Sequence, residues 1–96
     1  MEDEKKVVRW EIYFSGAVQA VGFRFTAKMY AKDLKLTGYV MNLDDGRVLM
    51  EVQGPEEKIQ QLLVDLHSSP PIRIEEYKIR ELPLREHEYD FRITGW

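Results

Sequence analysis

The 96-residue chain has no cysteine. No disulfide staples the fold, and thiolate chemistry is excluded. Long apolar runs are missing as well: nothing approaches the roughly 18 consecutive apolar residues that span a bilayer. The start, Met1-Glu2-Asp3-Glu4-Lys5-Lys6, is charged and lacks the apolar stretch of a signal peptide, so cytosol is the expected compartment. A basic excess is absent too. Lys and Arg number 14 against 17 Asp and Glu, for a net charge of −3, which argues against a nucleic-acid partner, whose phosphates demand a basic face. The histidines, His67 and His87, have no Ser or Cys partner that would suggest a catalytic triad, and both read as surface residues. There are no repeats, linkers or low-complexity tracts. One domain over residues 1–96 is expected, with residues 1–6 frayed.

Hydrophobic residues make up 44% of the chain, enough for a small packed core. Val8, Trp10, Ile12 and Phe14 alternate with Arg9, Glu11, Tyr13 and Ser15, predicting a strand with one apolar face that Gly16 stops. From Phe23, apolar residues at 23, 27, 30, 31 and 34 trace a helical stripe ending before Gly38. Gly38 to Leu43 and Arg47 to Gln53 read as a hairpin about Asp44-Asp45-Gly46, whose acids are turn chemistry; two adjacent carboxylates with no nearby His make a poor metal site. Gly54-Pro55-Glu56-Glu57 opens a second helix, with Ile59, Leu62, Leu63 and Leu66 on one face. Residues 72–82 are extended but of broken parity, predicting a loop or bulge before a strand near 75–82. Glu86, Glu88 and Asp90 read as a solvated run, and Tyr89, Phe91 and Ile93 as a short last strand. Aromatic and Met residues are assigned to the core.

The order β-α-β-β-α-β, plus a terminal strand, predicts an α+β fold. It is a ferredoxin-like α/β sandwich with a mixed, mainly antiparallel sheet, two helices on one face, and the first and third strands central. The loop after the first strand then lies at a sheet end. That loop is Gly16-Ala17-Val18-Gln19-Ala20-Val21-Gly22-Phe23-Arg24. Its small residues let backbone approach a ligand. The start of the following helix points unpaired N–H groups and a positive dipole end at the same place, and Arg24 stands at the exit. This is an anion cradle built without metal.

The nine-residue stretch, together with Gly38-Tyr39-Val40-Met41-Asn42-Leu43-Asp44-Asp45-Gly46-Arg47-Val48 and Gln53-Gly54-Pro55, resembles the acylphosphatase family over essentially the whole chain. The resemblance implies hydrolysis of carboxylic–phosphoric anhydrides to a carboxylate and inorganic phosphate, with no metal or cofactor. Arg24 would bind the phosphoryl group and Asn42 would position the attacking water. The implied partners are a small-molecule acyl phosphate, and inorganic phosphate as product and inhibitor. No nucleic acid or membrane is involved, and the protein is expected to be a monomer. Two positions depart from the family's pattern: Ala17 where a basic or polar residue is common, and Ala20 where Gly is usual. If residue 20 needs a positive φ, Ala costs about 1–2 kcal/mol there.

The residues suit such a reaction. A carboxylate leaving group has a pKa of roughly 4 and needs no general acid. What is required is charge stabilisation and a water held in line. Arg24 can chelate two phosphoryl oxygens, and the N–H groups of Ala17, Val18, Gln19, Ala20, Val21 and Gly22 can take the others. Asn42 is neutral, both donor and acceptor, and is not repelled by a dianion. As alternatives, Asn42 could cap its turn and Gln19 could brace the loop. Three rival functions arise, the weakest a small-molecule regulatory domain of the same fold, since such modules usually accompany a catalytic domain. An RNA-recognition module would need aromatics on the central strands, and Arg47-Val48-Leu49-Met50-Glu51-Val52 has none. A phosphate- or carbamoyl-phosphate-binding domain with weak turnover is favoured by Ala20.

Overall fold

In the computed structural model, residues 6–95 are described. The elements run β1 (Val7–Ala17), α1 (Phe23–Asp33), β2 (Thr37–Asn42), β3 (Val48–Pro55), α2 (Glu56–His67), β4 (Arg73–Leu82) and β5 (Phe91–Ile93). The strands form one sheet in the order β4-β1-β3-β2-β5. β5 joins β2 in parallel, while the other neighbours are antiparallel. β1 and β3 lie side by side in the interior as expected, and β5 also covers the outer edge of β2.

Period-2 alternation puts Ile12, Phe14, Val48, Met50 and Val52 on the helix-covered face, where all are fully buried. In register, Ile12 faces Met50 and Phe14 faces Val48. Ala27 and Ala31 of α1, with Ile59, Leu62 and Leu66 of α2, close this core from the other side. Tyr30 and Leu34 of the α1 stripe are partly buried against it. Phe14 meets Phe23 with ring centroids 4.9 Å apart. That contact pins the first residue of α1 to the sheet, and so fixes where the helix begins.

The irregularity expected near residue 75 is a bulge inside β4 rather than a loop before it. Ser15 pairs with Glu76 and Gly16 with Ile74, leaving Glu75 as the extra residue. Gly16 does not end β1, which continues to Ala17. It serves the bulge instead: its φ is 123°, and a Cβ there would stand 2.4 Å from the Arg73 carbonyl oxygen. The frayed start expected over residues 1–6 lies outside the described residues except for Lys6. The Lys6 carbonyl accepts from the Glu56 amide at 2.9 Å, tying it to the start of α2.

The face of the sheet away from the helices differs from the sequence reading. Arg9, on the nominally wet side of β1, is 1% exposed. Its Nε donates to Glu51 Oε1 at 2.9 Å, and its Nη1 donates to Glu88 Oε1 at 2.8 Å and to Gln53 Oε1 at 3.1 Å. Glu88 is therefore not part of a solvated run, since its side chain is 5% exposed. Gln53 also donates to the Arg85 carbonyl and accepts from the Arg85 amide, holding the segment before β5 over the sheet. Burial alone would raise the Glu88 carboxyl, but hydrogen bonds from Arg9 and Thr37 and the nearby guanidinium charges hold it below its ordinary value. Tyr39 donates to Glu51 at 2.6 Å. Burial, and then that carboxylate, push its hydroxyl up to about 12. Among the described residues no helix is long and apolar enough to cross a membrane.

Candidate active site

The cradle loop leaves β1 at Ala17, which still pairs with Arg73 of β4. The Val18 side chain drops into the core, fully buried, and anchors the loop from below. Residues 19–22 then turn the chain into α1. Gly22 is the N-cap, left-handed at φ 78°, with no side-chain cap. No acidic residue lies in the first turn of α1, whereas α2 carries Glu56 and Glu57 in its own. The first helical bond of α1 runs from the Thr26 amide to the Gly22 carbonyl, and no backbone carbonyl among the described residues accepts from the amides of residues 19–23. Among the described residues, neither a side-chain cap nor an acid of its own first turn offsets the positive end of α1.

Ala20 has φ 62°. The left-handed conformation that Gly would adopt freely is imposed here on Ala, at a cost of about 1–2 kcal/mol. It borders the site: a cavity of about 190 Å³ is lined by Val18, Ala20, Gly22, Phe23, Arg24, Phe25, Asn42 and Ile93. Arg24 is half-buried on the first turn of α1, and Asn42 is half-buried as the last residue of β2, opposite Val48. The fold therefore brings the two singled-out side chains to one cavity from separate elements. Of the proposed phosphate-binding residues, Val18, Ala20, Gly22 and Arg24 line it. Ala17, Gln19 and Val21 do not.

Gln19 has another task. Its Nε2 donates to the Leu43 carbonyl at 2.7 Å and the Arg47 carbonyl at 2.9 Å. One side-chain amide thereby fastens the cradle loop to the β2–β3 turn that begins just after Asn42. The turn is itself braced. The Asp45 carboxylate accepts from the Arg47 amide at 3.1 Å and from its Nε at 2.8 Å. The backbone bond, then the side-chain bond and charge, hold Asp45 below the usual carboxylate range. The Arg47 guanidinium lies over the Tyr13 ring, 4.7 Å from its centroid.

Phe25 and Ile93 were not singled out from the sequence. Assigning aromatic and Met residues to the core by default also fails for Phe25, Met29, Tyr77 and Tyr89, which are exposed. A signal for Phe25 was present: it is a large apolar residue beside Arg24 that lies off the α1 stripe. Ile93 had none, because alternation in so short a strand does not separate it from Phe91.

Among the described residues, polar chemistry in this cavity is confined to Arg24, Asn42 and backbone amides, with no carboxylate in the lining. Such a site favours a phosphoryl dianion and leaves a neutral amide beside it. The acylphosphatase family pattern matches residues 10–93. An acylphosphatase of Clostridium perfringens is 57% identical over 54 residues, 56% of this chain and 61% of that protein. The match thus spans less than two thirds of that relative's length. With an acylphosphatase of Pediococcus pentosaceus, identity is 43% over 81 residues, 82% of this chain and 89% of the other. The crystal structure of acylphosphatase from Bacillus subtilis is similar at a TM-score of 0.84 and 33% identity, covering 94% of this chain and 100% of that one. With the family pattern covering the cradle, Asn42 and nearly every element of the fold, the chain belongs to the acylphosphatase family.

Proposed function

We propose that the protein hydrolyses acyl phosphates to a carboxylate and inorganic phosphate, without a metal. The observation that carries this reading is one cavity, with no carboxylate in its lining among the described residues, that brings together Arg24, Asn42 and the start of α1, which has no side-chain cap. Arg24 and the amides of residues 17–22 hold the phosphoryl oxygens, the amides of Ala17, Gln19 and Val21 acting through backbone alone. Asn42 orients a water in line with the leaving oxygen. The water oxygen bonds to phosphorus, and the bond from phosphorus to the acyl oxygen breaks, its electron pair leaving on the carboxylate. The proton passes to a phosphate oxygen. No strong base is needed for so loose a transition state, and no acid for so weakly basic a leaving group.

The reading takes the protein as a cytosolic monomer acting on small molecules rather than nucleic acid or membranes. The acidic net charge and a β3 without aromatics support the exclusion of nucleic acid. Hydrolysis of benzoyl phosphate in EDTA tests it. Wild type is expected to be active, Asn42→Ala to lose about a hundredfold in kcat, and phosphate to inhibit while shifting the amide signals of the cradle. An inactive wild type whose cradle signals still follow phosphate would establish instead the weakly turning-over binding domain that the Ala20 methyl favours.

A further inference from the structure

The groups described so far read only the phosphoryl end of a substrate. The same cavity has two more walls with no task in the fold. Phe25 is 63% exposed and Ile93 is 40% exposed. Both line the cavity, and they come from separate elements, the first turn of α1 and the end of β5. Val18 and Phe23, also in the lining, are buried in the core and form its floor. Phe25 and Ile93 therefore border the solvent side. Single exposed apolar residues are ordinary. Two that converge on the cavity holding Arg24 and Asn42 are not explained by packing, since each forgoes the burial that would stabilise the fold. Met29 is an internal contrast, being 47% exposed on the same helix but outside this lining.

We propose that Phe25 and Ile93 form the subsite for the acyl group, and that it selects acyl phosphates whose acyl portion is apolar and uncharged, aromatic or branched aliphatic. This rests on the reading of the site as an acyl phosphate hydrolase. Once Arg24 and the loop amides hold the phosphoryl oxygens, the acyl carbon skeleton must lie against what remains of the lining. Among the described residues that remainder is hydrocarbon at the solvent side, Phe25 and Ile93. An aromatic or branched acyl group covers both side chains and removes apolar surface from water, whereas an acetyl group is too small to span them.

The test is the ratio of kcat/KM for benzoyl phosphate to that for acetyl phosphate, which cancels effects on phosphoryl binding and chemistry. Wild type is expected to favour benzoyl phosphate. Phe25→Ala should lower the ratio about tenfold, as loss of a hydrophobic pocket contact does. Ile93→Ser should lower it about threefold, and Phe25→Leu should recover most of the loss. Met29→Ser is the control and should leave the ratio unchanged. A thermal melt of each variant confirms that the folded protein is assayed. An unchanged ratio in Phe25→Ala, or an equal fall in Met29→Ser, overturns the subsite while wild-type hydrolysis keeps the proposed function. Wild type inactive on both substrates overturns the two together.

Discussion

Arg9 and Arg24 carry the same guanidinium to opposite fates. Arg9 lies on the inner stretch of β1 with its side chain 2% exposed, bonded to Glu51, Glu88 and Gln53. Arg24 stands at the start of α1 in the lining of a cavity that holds no carboxylate among the described residues. In the first region the chain supplies the anions itself, and the cation becomes part of the fold. In the second the guanidinium shares a cavity with Asn42 and the start of α1. Position in a sheet or helix does not decide between structural and functional arginine. What separates the two is their surroundings: Arg9 is enclosed by its bonds to Glu51, Glu88 and Gln53, whereas Arg24 lines a cavity open to a ligand.

Exchanging the two roles by mutation tests this contrast. Arg24→Ala should lower kcat/KM for benzoyl phosphate about a thousandfold, or about 4 kcal/mol. The urea unfolding free energy should move by less than about 1 kcal/mol. Arg9→Ala should do the reverse. It strands Glu51 and Glu88 and is expected to cost about 3 kcal/mol of stability, while the folded fraction keeps its kcat. Parallel losses in both variants would erase the distinction.

Gln19→Ala should come next. It removes both bonds between the cradle and the β2–β3 turn, and kcat should fall about tenfold as Asn42 loses its fixed relation to the loop. Phosphate affinity should fall less, because the amides remain. A KM-only effect would show that the brace positions nothing.

The Arg9 cluster also fixes a pH response. The folded Glu88 carboxyl lies below its ordinary 4.5. Its stabilisation is therefore present above that value and lost as pH falls through the folded one, so the urea midpoint should drop below about pH 4.5. Glu88→Gln should flatten that slope. For Tyr39 the sign is opposite: raised from 10.0 to about 12, it stabilises below pH 10 and loses that contribution as pH climbs through the raised value. The smallest effect is at Ala20. Ala20→Gly relieves left-handed strain but loosens the unfolded chain, and a net gain of about 0.5 kcal/mol is expected from urea unfolding.

The fold was legible because each element carries its own period. Ile12 and Phe14 on β1, and Ile59, Leu62 and Leu66 on α2, announce one buried face each, and those faces meet. The outer face of the sheet was not legible. Alternation marks Arg9 as polar, hence wet. Only the return of residues 83–90 over β1 and β3 buries it, and no local pattern encodes that long-range cover. In the candidate site, Arg24 and Asn42 could be named from residue type and from family likeness. The brace by Gln19 and the left-handed Ala20 could be foreseen only as alternatives, since loop geometry settles both. Phe25 and Ile93 escaped because their meaning lies in a neighbour from another element.

The sheet ends on one side at β4, which among the described residues pairs only with β1. Such an unpaired rim is where chains of this architecture polymerise. Here it carries Arg73, Glu75, Glu76, Lys78, Arg80 and Glu81, nearly all the way along, with every one exposed. A second rim laid against it would have to strip water from these ions before forming a single backbone bond. The strand farthest in the sheet from β5 and Ile93 thus acts as a gatekeeper. It guards against fibre-like stacking while Phe25, on the helix layer, presents bare hydrocarbon to the solvent.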